Sequence, residues 1–201
     1  KVLLEGPLKK KEGSYLVSGR FGYPGVVAGL LGSNLTSKPQ MWFYDVNAKV
    51  NRTLDARNRM FFSLYSGGDH TVFNKLVKGY GMDWGNATAT IRWNHILNDK
   101  TNVNTSAVFS NYYYKYKSLS DGLRYVWKSN MQSYQLKSDW ERYQNNLLTL
   151  KGGVNLHYFT TMPGEVGKSG KDSNITPSQM PRKRLWDAAL YAEANYKFLP
   201  H

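Results

Sequence analysis

Residues 87–97 read "ATATIRWNHIL", and their polarity alternates with a period of two: Ala87, Ala89, Ile91 and Trp93 fall on one side, Thr88, Thr90, Arg92 and Asn94 on the other. That period belongs to an extended strand, whose successive side chains point to opposite faces. Similar segments recur about nine times, over roughly 2–8, 14–22, 41–53, 58–68, 84–97, 101–117, 132–143, 147–160 and 185–198. Most are rich in β-branched and aromatic residues and are bounded by Gly, Pro, Asn, Asp or Lys clusters. No comparable helical pattern intervenes. The chain reads as all-β, and what its apolar faces touch decides what it does.

The connections carry more information than the strands. "LKKKEG", "LDARN", "LNDKTN" and "YQNN" are short turns rich in Asp, Asn, Gly and Lys, and the first three of these types tolerate tight backbone geometry well. "YPGVVAGLLGSNLTSKPQ", "GGDHTVFNKLVKGYGMD", "SLSDGLRYVWKSNM" and "TMPGEVGKSGKDSNITPSQMPRKR" are long. Short and long alternate, so an antiparallel series puts the short turns at one end of the sheet and the long loops at the other. Outer-membrane barrels show this asymmetry.

That polarity places aromatic residues at the ends of the apolar faces. Strand 185–198 has Trp186, Ala188, Leu190, Ala192, Ala194, Tyr196 and Phe198 on one face. From Trp186 to Tyr196 is about 33 Å of strand, or roughly 23 Å of depth at a 45° tilt, close to the apolar band of such barrels. Strand 41–53 sets Trp42, Tyr44, Val46, Ala48 and Val50 against Phe43, Asp45, Asn47, Lys49 and Asn51. Strand 147–160 sets Leu148, Leu150, Gly152, Val154, Leu156 and Tyr158 against Thr149, Lys151, Asn155 and His157. These apolar sets hold no charged residue, as a lipid-facing surface requires when a Lys or Arg at the midplane costs about 2–4 kcal/mol. Arg52 and His95 share the apolar parity but fall near the turn end, where the cost is small. A soluble sandwich or lipocalin-like barrel also alternates, with its apolar face turned inward.

The chain has no run of about 18 apolar residues, which excludes a membrane-spanning helix. It has no cysteine, which removes disulfides and thiolate chemistry. The net charge of +13 is compatible with an anionic partner, although "KKK" (9–11) and "PRKR" (181–184) read as solvated turn or loop residues. Catalytic patterns are weak. Asp139 and Glu141 share a polar face with Lys137 and read as wall charges that compensate one another. Asp69-His70 has no nucleophile beside it, and His95 and His157 fall on opposite faces of separate strands, against a joint metal site. "YYYKY" (112–116) reads as an aromatic girdle instead of a base-stacking surface. "GKSG" (167–170) lacks the strand-to-helix setting of a phosphate loop, and the sequons at Asn34 and Asn174 mean little in an Asn-rich chain. No bond chemistry, cofactor or nucleic-acid partner is expected.

"LEGPLKKKEGSYLVSGR" (4–20), "FYDVNAKVNRTLDARNRMFFSLYSGGD" (43–69), "DWGNATATIRWNHILNDKTNVNTSAVFSNYYY" (83–114), "YQLKSDWERYQNNLLTLKGGVNLHYFTTMPGE" (134–165) and "ALYAEANYKFLP" (189–200) resemble the barrel of TonB-dependent outer-membrane receptors, specifically of the Bacteroidetes type. The resemblance is collinear over nearly the whole chain. It implies a bacterial outer-membrane location and a barrel of about 22 strands closed by an N-terminal plug. It further implies uptake of a siderophore, cobalamin, glycan or other large nutrient, driven by the TonB complex. Neither a plug nor a TonB box is visible, so residues 1–201 read as a single barrel segment following the plug, part of a longer receptor, or a shortened product. The implied partners are outer-membrane lipid and lipopolysaccharide, the plug and TonB complex, and a surface lipoprotein.

In that family, extracellular loops and the upper lumen select the ligand. The candidate contacts here are Tyr23, Trp42, Phe73, Tyr80, Trp84, Tyr125 and Trp127. Two other readings remain open: a soluble or surface β-protein binding a glycan or anionic ligand, and a small self-closed barrel of about eight strands.

Overall fold

The computed structural model describes residues 1–9, 12–24, 40–74, 79–118, 120, 123–170 and 173–198. Ten strands make one antiparallel sheet: β1 (Val2–Lys9), β2 (Gly13–Gly22), β3 (Gln40–Thr53), β4 (Asn58–Asn74), β5 (Gly79–Asn98), β6 (Thr101–Ser118), β7 (Tyr125–Tyr143), β8 (Leu148–Lys168), β9 (Ser178–Gln179) and β10 (Lys183–Tyr196). Their order is β1-β2-β3-β4-β5-β6-β7-β8-β10, and the short β9 continues the β10 edge of β8.

The short turns are built as their residues dictate. Asp55 accepts hydrogen bonds from the Arg57 N–H at 2.7 Å and from the Asn58 side-chain amide at 2.8 and 2.9 Å. Asn98 accepts from Lys100 N–H at 3.0 Å, and Asn145 accepts from the N–H groups of Leu147 and Leu148 at 2.9 Å. Each is an Asx-type turn, in which a side chain takes over a backbone role that the ladder leaves unfilled.

At the other end the strands are longer than their sequence suggests. Pairing continues along β4 and β5 to Asn74 and Gly79, β7 begins at Tyr125, and β8 runs to Lys168. Much of "GGDHTVFNKLVKGYGMD" and "SLSDGLRYVWKSNM" is therefore strand, because Gly and Asp residues that weaken strand propensity are carried by neighbouring ladders. Gly167 and Lys168 of "GKSG" close β8, and Lys183 and Arg184 of "PRKR" open β10. Residues 25–39, which include Asn34, and most of the "KKK" run lie outside the described residues.

No large apolar side chain is buried among the described residues; Trp186 is 73% exposed, Leu190 82% and Ile91 47%. A soluble sandwich would bury these side chains between two layers. Here Ala48, Leu64, Ala89 and Phe109 lie side by side across β3 to β6 on one face of a single layer. The other face carries Asn47, Tyr65, Thr88, Ser110 and Ser133 in register.

The aromatic belts on the apolar face run obliquely to the hydrogen-bonded rows. Trp93 of β5 is in register, through Thr105, with Ser138 of β7, but the next turn-end aromatic on this face is Trp140, two residues lower. Trp140 aligns through Gly152 with Ala192 of β10, and Tyr196 lies four residues lower again. The belt thus falls about 1.5 residues per strand, which at about 3.3 Å per residue and 4.8 Å between strands is a slope of about 45°. The loop-end belt falls in the same direction, from Phe21 and Tyr44 to Tyr134, Tyr158 and Trp186. A belt level with a membrane plane must cross the rows this way if the strands tilt by the 35–45° of a transmembrane barrel.

The sheet is a barrel wall segment and is not closed. β1 and β10 form its edges and have no further partner strand among the described residues. Antiparallel alternation makes these two strands run in the same direction, so joining them would create a parallel seam. The small self-closed barrel is not formed.

Candidate upper-lumen binding wall

On the polar face, toward the loop end, period-two alternation brings aromatic residues from four strands together. Phe73 of β4 is opposite Tyr80 of β5, with ring centroids 5.0 Å apart. Tyr80 lies 6.3 Å from Tyr116 of β6, and Tyr116 lies 5.9 Å from Tyr125 of β7. Below them Trp84 pairs with Tyr114, and Met82 with Tyr116, which in turn faces Trp127.

A register shift between Lys128 and Asn130 places Trp127. Opposite the single Ser129, β8 carries two residues, Pro163 and Gly164, one more than the ladder needs, and Ser129 Oγ donates to the Met162 carbonyl at 3.1 Å. A bulge tolerates Pro, which has no N–H for the ladder. The Trp127 ring lies over Gly164, where a Cβ would fall 2.4 Å from Cζ2. Only glycine permits so close an approach without displacing the indole.

Phe73, Tyr80, Trp84, Tyr125 and Trp127 thus share this wall. Tyr23 lies just past β2, exposed, and no contact joins it to the others. Trp42 belongs to the opposite face, stacked on His70 at 5.1 Å between Phe21 and Tyr44, and is not part of this wall. The reverse correction applies to "YYYKY". Tyr112, Tyr114 and Tyr116 point to the polar face and only Tyr113 and Lys115 to the apolar one, because consecutive strand residues cannot all face lipid. Tyr116, the link between Tyr80 and Tyr125, was obscured in the sequence by its girdle-like run; strict parity along β6 is the signal that separates it.

Lower on the same face the Asp139 and Glu141 carboxylates are charge-compensated. Lys137 Nζ is 3.0 Å from Asp139, which also accepts from the Tyr191 hydroxyl at 2.7 Å, and Lys151 is 3.3 Å from Glu141. His70 and Asp69 lie on opposite faces; the His70 partner is Asp83, hydrogen-bonded to its Nδ1. Asp83 is also 3.5 Å from Lys115, and the same row continues through Lys128 to Glu165 at 3.7 Å. This charged row lies on the loop side of Tyr44 and Tyr113 and marks where the apolar face ends. His95 bonds Asn58 at 2.7 Å on the apolar face, and His157 bonds Ser133 at 2.6 Å on the polar one. No cluster of three metal-ligating side chains occurs among the described residues.

The wall presents flat π faces edged with phenol groups, a surface that packs against sugar rings or planar aromatic groups and hydrogen-bonds at its rim. It contains no nucleophile paired with a base.

No family model matches the sequence, and no curated protein matches it. Solved structures do match. Two are forms of the ferric-catecholate import receptor Fiu from E. coli K12, closed and open, each at a TM-score of 0.60 over 93% of this chain, with 8% and 9% sequence identity. The chain spans 38% and 42% of the length of those receptor chains. At such identity the likeness shows the fold alone, an antiparallel sheet that forms a segment of an outer-membrane-type barrel wall. It does not extend to a Bacteroidetes type.

Proposed function

We propose that the chain is one barrel segment of a TonB-dependent outer-membrane receptor that imports a large nutrient. It contributes lipid-facing wall, surface loops and polar lumen, and performs no bond chemistry. The observation that carries this reading is the division of one tilted sheet into a wholly uncovered apolar face between aromatic belts and a polar face with an aromatic wall at its loop end. The import role named for the two E. coli structures agrees with it. In this reading the aromatic wall contacts the nutrient, lipid and lipopolysaccharide cover the apolar face, and a plug and the TonB complex supply closure and energy. The affinity to Bacteroidetes receptors, and the surface lipoprotein it brings, rest on the sequence resemblance.

Folding tests the membrane assignment. The chain should acquire β structure and heat-modifiable gel mobility only with detergent or lipid. A monomer that keeps its β signal in detergent-free buffer would instead support a soluble or surface β-protein. Transport is tested in cells carrying only residues 1–201, which should show no energy-dependent uptake of siderophore, cobalamin or oligosaccharide. Uptake abolished by a protonophore would overturn the requirement for a plug.

A further inference from the structure

The middle of the polar face carries a hollow of about 470 Å³, bordered by Lys49 of β3, Arg92 of β5 and Lys137 of β7. None of its lining residues is acidic. Asn51, Thr90 and Gln135 add amide and hydroxyl groups between the cations. Arg92 and Arg59 lie over the ring of Phe61, with guanidinium carbons 4.4 and 5.1 Å from its centroid, and Arg59 also donates to Asn51 at 2.9 Å. Cation–π contact holds a guanidinium in place without neutralising it. Lys137 is paired with Asp139, whereas Lys49 is exposed and has no ion-pair or hydrogen-bond partner.

Lys49, Arg59, Arg92 and Lys137 therefore gather around the hollow, where the one ion pair among the described residues is that of Lys137 with Asp139. Lys49, Arg92 and Lys137 stand on alternate strands, roughly 10 Å between neighbours at about 4.8 Å per strand, a gap that two long side chains reach across. We propose that this hollow is a binding site for a small polyanion carrying two or more phosphate or carboxylate groups. Arg92 supplies a planar fork for one group, Lys49 and Lys137 supply point charges for the others, and the amides and hydroxyls fill the remaining acceptor positions. The site is separate from the aromatic wall and goes beyond the import reading, since it requires only that water reach the polar face.

The test uses the full chain folded in neutral detergent micelles, with β structure confirmed by circular dichroism. Inorganic pyrophosphate and citrate are titrated calorimetrically, with maltotriose as a neutral control. Both anions should bind saturably at one site and maltotriose should not. Lys49→Gln, at an exposed and unpaired position, should weaken both anions about three- to tenfold, and Lys49→Gln/Arg92→Gln by more than about tenfold. Lys49→Arg should retain binding, and Lys117→Gln on the opposite face should leave it unchanged. Binding that is absent in the folded protein, or equally strong in the double variant, would overturn the proposal.

Discussion

Ala89 and Thr90 are adjacent on β5, and the face assignment predicts opposite responses to the same substitution. On the apolar face Ala89 lies midway between Gly85, in register with Tyr113, and Trp93. Each interval is four residues, about 13 Å of strand and about 9 Å of depth at 45°, so Ala89 sits near the midplane. Its neighbours in the row are Leu64 and Phe109, which offer an arginine no counter-charge. Ala89→Arg should therefore cost about 2–4 kcal/mol, lowering the folded-to-unfolded ratio by roughly 30- to 900-fold. Thr90→Arg faces the polar side and escapes that transfer cost; it meets only the solvent-screened repulsion of Lys49 and Arg92 and should lose less than about 1 kcal/mol. Both variants are folded into phospholipid vesicles and titrated with urea, with tryptophan fluorescence and heat-modifiable mobility as readouts. Equal stabilities, or a larger loss in Thr90→Arg, would refute the assignment of the Ala89 face to hydrocarbon.

Further consequences concern close approach and turn chemistry. A Cβ on Gly85 would lie 2.6 Å from the Gly67 carbonyl oxygen and 2.8 Å from the Tyr113 hydroxyl, whereas on Gly81 the nearest atom is 3.7 Å away. Gly85→Ala should cost about 1–3 kcal/mol and Gly81→Ala less than about 0.5 in the same urea titration. The Asp55 pKa is lowered from its ordinary value of 3.8, chiefly by the Arg57 backbone N–H and then by the Asn58 side chain. A depressed folded-state pKa gives stability that is present above the unfolded value and lost as pH falls through the folded one. Wild type should exceed Asp55→Ala in stability at pH 7, and the difference should close below about pH 4; a gap constant from pH 7 to pH 2 would exclude the turn carboxylate as its source.

The nine main strands, their faces and the polarity of the sheet were legible because period-two alternation is local. Ala87 to Asn94 reveal their two faces without reference to any other strand. The turns were legible for a related reason, since Asp55, Asn98 and Asn145 bond backbone groups within three residues. Strand ends at the loop side were not. Asp69, His70 and Thr71 read as loop, yet β3 and β5 hold them in ladder, and that support comes from residues far away in sequence.

The candidate site divides along the same line. Aromatic identity singled out Phe73, Tyr80, Trp84, Tyr125 and Trp127, but Trp42 was included and Tyr116 left to the girdle. Sorting them required applying parity along each strand together with the register between strands. The sequence by itself determined that each strand has a greasy and a wet side, because side-chain direction follows from backbone geometry alone. Only the tertiary structure decided which side chains from different strands meet: the Phe73–Tyr80–Tyr116–Tyr125 wall, the cations around Phe61, and the oblique belts. Those meetings depend on stagger, and stagger is fixed by hydrogen bonds between segments tens of residues apart, which no local pattern encodes.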